Sequence, residues 1–206
     1  DTNDTLTINA NNIGTDVTNY GKLYLTGGTL TKGITGDSNS ATGKTIITGA
    51  VTFPDAIQDK IEVQKTGNLT INADNINADI IGNSADDGNS IVTLTGGTLN
   101  KNITNGNIVV ASAALVTLGA DTVDLANNKT VIVNNGGTLF ANGHTNLGQN
   151  MELRGILDLR DNTLNGGDNT GNRQYNIGTG STGNLIGGTG ATINFDLLNA
   201  HEGDHK

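Results

Sequence analysis

The chain of 206 residues has no cysteine, no tryptophan and a single proline, and only three tyrosines and three phenylalanines. Without cysteine no disulfide can staple the fold and no thiol can serve as nucleophile, so stability must come from burial and stacking. So few aromatic rings leave little to fill a globular two-sheet core. Positive charge is also scarce: 11 Lys and Arg face 20 Asp and Glu, a net charge of −9. That sign excludes nucleic acid as a partner and argues against an anionic membrane surface. No run reaches the ~18–20 apolar residues of a membrane helix. No charged and then apolar leader opens the chain, so any signal peptide is expected to have been removed or to lie outside this sequence.

What the chain does have is glycine, 30 residues of it, and repetition. Ile91-Val-Thr-Leu-Thr-Gly-Gly-Thr-Leu99 has an earlier copy in Leu23-Tyr-Leu-Thr-Gly-Gly-Thr-Leu30. A looser one follows in Val131-Ile-Val-Asn-Asn-Gly-Gly-Thr-Leu139. Each reads as a short alternating strand, a Gly-Gly corner and a second short strand, glycine suiting the corner because positive φ costs it nothing. A second motif, Leu6-Thr-Ile-Asn-Ala10, returns 63 residues later as Leu69-Thr-Ile-Asn-Ala73, whereas the strand before the Gly-Gly corner returns after 69. The six extra residues are placed in the polar stretch Asn83–Asn89, read as an inserted surface loop. A period near 63 corresponds to three coils of ~21 residues, a spacing typical of solenoids.

Alternating apolar pairs recur along the rest of the chain, among them Ile61/Val63, Ile108/Val110, Val123/Leu125, Met151/Leu153 and Leu157/Leu159. Strands this short need neighbours above and below. Gly, Asn and Asp fill the corners, where asparagines can also stack in ladders. A sandwich or up-and-down barrel fits less well, because two-residue Asn-Gly hairpins do not dominate. The expected fold is therefore all-β: a right-handed parallel β-helix with three short strands per coil of about 20–24 residues. Residues 1–206 form one such fragment. Pro54-Asp-Ala-Ile-Gln-Asp-Lys-Ile61 reads either as a short helix, with proline in its first turn, or as an excursion into the strand at Ile61–Val63.

Several motifs tempt a chemical reading. His201-Glu-Gly-Asp-His205 matches the zinc-protease pattern, but Gly203 and Asp204 are poor residues for the helix that pattern needs. Gly178-Thr-Gly-Ser-Thr-Gly183 matches a dinucleotide loop, yet Asn184-Leu-Ile-Gly-Gly cannot be the helix that must follow. Ala41-Thr-Gly-Lys-Thr45 resembles the end of a phosphate loop but runs into Ile46-Ile47, a strand. The acidic groups Asp74, Asp79, Asp86 and Asp87, and Asp158, Asp161 and Asp168, could offer calcium its about six to eight oxygens. Solvated loop carboxylates are the simpler reading. For carbohydrate hydrolysis the place to look is Asp158 and Asp161 beside Arg154, Arg160 and Arg173; surface ion pairing explains that group as well. No catalytic residue, metal or cofactor is assigned.

The L-T-G-G-T-L units, the Gly/Asn-rich coils, the missing cysteine and the acidic charge together resemble the passenger domain of a Gram-negative autotransporter. Gly136-Gly-Thr-Leu-Phe-Ala-Asn-Gly143 and Leu153-Arg-Gly-Ile-Leu-Asp-Leu-Arg-Asp-Asn-Thr-Leu164 are similar to the pertactin-like pattern. Gly203-Asp-His-Lys206 resembles the start of a coil found near passenger C-termini. The resemblance implies a secreted β-helix displayed on the bacterial surface, often an adhesin, whose full-length form is anchored by a C-terminal outer-membrane barrel absent from this sequence. The family's serine-protease branch carries a G-D-S-G signature that this chain lacks, so that activity is not carried over. The implied partner is a host-cell surface protein or glycan, met by loops at Gly36–Gly43, Asn83–Asn89 and Asp168–Arg173. Candidate contact residues are Asp37, Asn39, Ser84, Asp86, Asp87, Asn89, Asp168, Asn169 and Arg173. Two other readings stand beside it: association of one shaft with another copy of itself, and a spacer that binds nothing.

Overall fold

The computed structural model describes residues 4–36, 43–82, 90–119, 125, 127–142, 144, 146–160, 177 and 183–194. Its strands pair in parallel throughout and stack into three walls. Sheet I contains β1 (Thr5–Ile8), β3 (Lys22–Leu25), β6 (Lys44–Ile47), β9 (Ile61–Val63), β11 (Ile80–Gly82) and β14 (Ile103–Thr104). Sheet II contains β4 (Gly28–Thr29), β7 (Ala50–Phe53), β10 (Asn68–Ile71), β12 (Ile91–Leu94), β15 (Asn107–Val110), β17 (Thr130–Val133), β19 (Asn150–Leu153) and β21 (Asn184–Gly187). The third wall is split. Its lower part is β2 (Val17–Asn19), β5 (Ile34–Gly36) and β8 (Ile57–Gln58). Its upper part is β13 (Gly97–Leu99), β16 (Leu115–Leu118), β18 (Thr138–Phe140), β20 (Ile156–Asp158) and β22 (Thr192–Asn194). The chain visits I, II and III in turn: it is a parallel β-helix. Register partners one turn apart are 16 residues apart at their closest, as in Thr45↔Ile61, and 23 in most of the longer turns, as in Ile80↔Ile103. The turn from Asn150 to Asn184 is longer, at 34.

Alternation decides what each strand buries. In sheet II the inward positions form two unbroken columns, one through Val51, Leu69, Val92, Ile108, Val131 and Met151. These join the inward residues of the other walls in one continuous core. Each buried aliphatic residue contributes roughly 1.5–3 kcal/mol when removed from water, which is how a chain almost free of aromatics stabilises itself. Ile57 and Ile61, the pair behind the possible helix, are strand residues of neighbouring walls, and both point into the core. Pro54 sits at the corner before them, so the excursion reading holds.

The two repeated motifs prove to be one unit shared between successive turns. Asn9 caps the 3-10 turn Ala10–Asn12, its side chain accepting from the Asn11 amide at 3.0 Å. The Gly27-Gly28 corner of the next turn lies directly over it, Ala10 donating to the Gly27 carbonyl at 2.8 Å. Asn72, the turn Ala73–Asn75 and Gly96-Gly97 repeat that arrangement, with Ala73 donating to Gly96 at 2.8 Å. Gly97 has φ +88°, and a Cβ there would lie 2.3 Å from Asn72 Oδ1, so glycine is required twice over. Yet the copies stand on different walls. From β1 the chain returns to sheet I three times before it reaches β10 in sheet II. The 63-residue offset therefore spans three turns and one wall more, not three turns.

Candidate functional site

Connections between walls are unequal, and the inequality is one-sided. Passing from sheet II to a strand of wall III takes two to four residues in every case where strand follows strand. As far as β14, links of seven or eight residues each begin or end on sheet I; two of them, 9–16 and 72–79, carry the 3-10 turns and stand where sheet II and wall III would have a strand. Between β5 and β6 lie seven residues, where β2–β3 and β8–β9 have two; between β11 and β12 lie eight, where β6–β7 and β14–β15 have two. Past β14 no further strand of sheet I is present among the described residues, and the chain passes from β16 to β17, β18 to β19 and β20 to β21 through residues 119–129, 141–149 and 159–183. The strands on either side of each long link keep their pairing with the turns above and below. The extra length at 37–43 and 83–90 thus falls between strands whose stacking it does not disturb.

Asp37 and Asn39, Ser84, Asp86, Asp87 and Asn89, and Asp168, Asn169 and Arg173 all belong to these long links and lie outside the described residues. Residues 201–205, with the H-E-x-x-H pattern, also lie outside. The residues that flank these links are described, and a polar group is set into the wall near each. Beside Gly36, Asp59 is only 2% exposed and accepts from Thr45 Oγ1 at 2.6 Å and Asn19 Nδ2 at 2.8 Å. A Cβ on Gly36 would lie 2.0 Å from its carboxylate, so the link leaves β5 through a glycine. After 83–89, the Ser90 hydroxyl is buried with no hydrogen-bond partner among the described residues, packed between Gly82 and Gly106. Before 161–176, Asp158 accepts from Arg160 Nε at 2.9 Å and again from its terminal nitrogen. The Arg160 side chain, helped by its backbone amide and by Asn194, holds that carboxyl below the usual range against the opposing effect of burial. Sequence patterning could not find Asp59 or Ser90, because an isolated polar residue beside a corner reads as solvent-facing.

The remaining motif residues have structural work. Asp74 Oδ1 accepts from the Thr98 amide at 2.7 Å and Asp79 Oδ1 from Asn102 at 3.0 Å, each linking one turn to the next. Lys44 and Thr45 lie in β6, and Asn184–Gly187 is β21, so neither glycine-rich motif opens a helix. Corner asparagines bond backbone carbonyls one turn earlier, Asn142 to Leu118 at 3.0 Å and Asn75 to Pro54 at 2.8 Å, rather than stacking on one another. An Asn–Asn side-chain bond does join Asn150 and Asn184 at 3.3 Å, on the outer face of sheet II. That face is built from two outward rows in register. One runs Thr29, Thr52, Thr70, Thr93, Val109, Ile132, Glu152. The other runs Ala50, Asn68, Ile91, Asn107, Thr130, Asn150, Asn184.

Among the described residues no cluster of three metal-binding side chains occurs, and no helix is long and apolar enough to cross a membrane. Compared with protein-family models, curated proteins and solved structures, the chain matches none of them.

Proposed function

We propose that this chain is a segment of a bacterial surface-displayed adhesin, attaching to host cells or matrix through loops carried on a β-helical shaft. One observation supports the reading most: the chain has seven- and eight-residue links at 37–43 and 83–90 where the matching steps of other turns have two, while the strands on either side stay in register. A solenoid tolerates insertions on one face without loss of stacking, and such loops are where solenoids bind. The loops at 36–43, 83–89 and 168–173 then supply contact residues, acidic and amide-rich, suited to polar groups of a cell-surface protein or glycan. In the parent protein the shaft stands outside the cell, held by an outer-membrane barrel.

The test is attachment of beads coated with the purified chain to epithelial cells, with and without residues Ser84–Asn89. Loss of attachment on deletion, with the circular dichroism melt unchanged, is the expected result. Attachment that survives removal of all three loops would overturn the assignment to loops. No attachment by the intact chain would leave it a spacer.

A further inference from the structure

The third copy of the repeated unit departs from the other two at one reactive position. Before the Gly-Gly pair the first two copies have Thr26 and Thr95, and the third has Asn135. Asparagine before glycine can undergo a reaction that threonine cannot. Its side chain offers an electrophilic amide carbon, and glycine leaves the next backbone nitrogen unshielded. The fold decides whether that nitrogen is free to react. Two Asn-Gly pairs lie wholly within the described residues, and they are held in opposite ways.

Residues 134–137 form a tight turn between β17 and β18, closed by the Gly137 amide donating to the Asn134 carbonyl at 2.8 Å. Asn135 and Gly136 are its tip, and both are exposed. Gly136 takes φ +77°, the left-handed conformation that suits the third position of such a turn. Among the described residues nothing accepts a hydrogen bond from its amide. The space beside it is open, with no atom nearer than 3.6 Å to an added Cβ. At Asn105-Gly106, between β14 and β15, Gly106 is buried and its amide donates to Asn128 Oδ1 at 3.4 Å. The Asn105 amide is tied as well, to the Asn127 carbonyl at 3.3 Å.

We propose that Asn135 is a modification site, converted through a succinimide to aspartate and isoaspartate without an enzyme. Solvent base takes the Gly136 amide proton, and the nitrogen adds to Asn135 Cγ. The side-chain nitrogen leaves as ammonia, and a five-membered imide closes. Water then opens the imide at either carbonyl, giving aspartate at one and isoaspartate at the other. The reacting atoms are neighbours along the chain, so the fold controls only the freedom of the nitrogen to turn toward the carbon. Either product adds a negative charge to a chain already at −9. Isoaspartate also lengthens the main chain by a methylene at a corner on which the next turn packs. A Cβ on Gly155 would lie only 2.4 Å from the Asn134 carbonyl oxygen. The candidate loops play no part in this chemistry, so the proposal does not rest on the adhesin reading.

The experiment is to age the folded chain at mildly alkaline pH and map its tryptic peptides by fragment-ion mass spectrometry, scoring isoaspartate by enzymatic methylation. Asn105 and Asn135 fall in separate peptides, 102–129 and 130–154. We expect Asn135 to convert at least ~10-fold faster than Asn105, whose reaction requires the stack to open locally. In urea the two rates should converge, and acceleration of Asn105 should account for the change. Equal conversion of the two in the folded chain would overturn the proposal, as would an Asn135 that stays intact. A corner that speeds up in urea as much as Asn105 does would show that the fold protects it, and would overturn the proposal too. A gap that persists in urea would trace the difference to flanking sequence and remove the structural basis.

Discussion

Leu6 and Leu69 hold the same position in two copies of one sequence unit, and their surroundings are opposite. Leu6 is 53% exposed, whereas Leu69 is fully buried. Around them the local geometry is nearly superimposable. The capping residues Asn9 and Asn72 have φ, ψ of −78°, 135° and −76°, 136°, and Ile13 and Ile76 close the two turns at −87°, 102° and −88°, 103°. The difference lies only in position. β1 is the outermost strand of sheet I, while β10 sits between β7 and β12 in sheet II. Local sequence therefore fixes the shape of a corner, and the neighbouring turns fix how much it buries. Stability in this molecule belongs to the stack rather than to the motif.

The sharpest way to break the comparison is to truncate the shared leucine in each copy. Leu69→Ala leaves a cavity between Val51 and Val92 and should cost about 2–5 kcal/mol in urea unfolding. Leu6→Ala should cost under ~1 kcal/mol, confined to fraying of the first turn in hydrogen exchange. Equal losses would mean that the outermost turn is more enclosed than its exposure indicates.

A second test probes what the copies share. Gly97→Ala must place a Cβ at φ +88° and 2.3 Å from Asn72 Oδ1; Gly28→Ala meets Asn9 Oδ1 at 2.5 Å with φ +95°. Each should lose about 1–3 kcal/mol of local stability. Gly136→Ala, in the looser third copy, should lose less. Its φ is +77° but its Cβ would meet nothing nearer than 3.6 Å, the Ala113 amide nitrogen. A loss at Gly136 as large as that at Gly97 would show that backbone strain alone, and not the asparagine cap beneath, makes the corner glycine necessary.

The strands, the Gly-Gly corners and the aliphatic interior were legible in the sequence because each depends on residues a few positions apart. The alternation at Val92/Leu94 or Ile108/Val110 states which side chains turn inward whatever wall the strand joins. The wall itself was not legible. All three walls use strands of two to four residues, so nothing in Leu69-Thr-Ile-Asn-Ala73 marks it for sheet II when Leu6-Thr-Ile-Asn-Ala10 goes to sheet I. Ile57 and Ile61 left two readings open for a related reason: four residues apart, they fit one helix face as well as two strands joined by a corner. The candidate loops were legible only as polar interruptions. The buried polar groups near them, Asp59 and Ser90, depend on contacts between turns, as with Asp59 and Asn19, 40 residues apart; Asp158 was legible because its partner Arg160 is two residues away.

Acid offers a third way to set one end of the stack against its middle. Asp158 titrates below the ordinary carboxylate range in the folded chain, chiefly because of its hydrogen bond from the Arg160 side chain. Its pair therefore contributes fully above the unfolded value of about 3.9, and the contribution is lost as pH falls through the lowered folded value. Asp158→Asn should remove about 1–2 kcal/mol from the β20–β22 region at pH 6, the exposed Arg160 limiting the effect. The difference from the native chain should shrink as pH falls below the unfolded value of about 3.9. A constant difference across that range would assign the loss to packing against Asn194 rather than to charge.

The smallest effect is expected where the two copies differ in sequence but not in role. Asn11 Oδ1 accepts from the Thr29 amide at 2.8 Å, and Asp74 Oδ1 accepts from the Thr98 amide at 2.7 Å. Both side chains are tied to the turn above through one oxygen, so the second oxygen of the carboxylate adds little that an amide cannot supply. Asp74→Asn makes the second copy chemically like the first and should change stability by less than ~0.5 kcal/mol. Asp74→Ala removes the acceptor and leaves the Thr98 amide unpaired at a partly exposed edge, a loss of about 1 kcal/mol. If Asp74→Asn proved as damaging as Asp74→Ala, the negative charge itself would be stabilising. The adjacent start of the 3-10 turn, where backbone amides point outward, is then the source of that attraction.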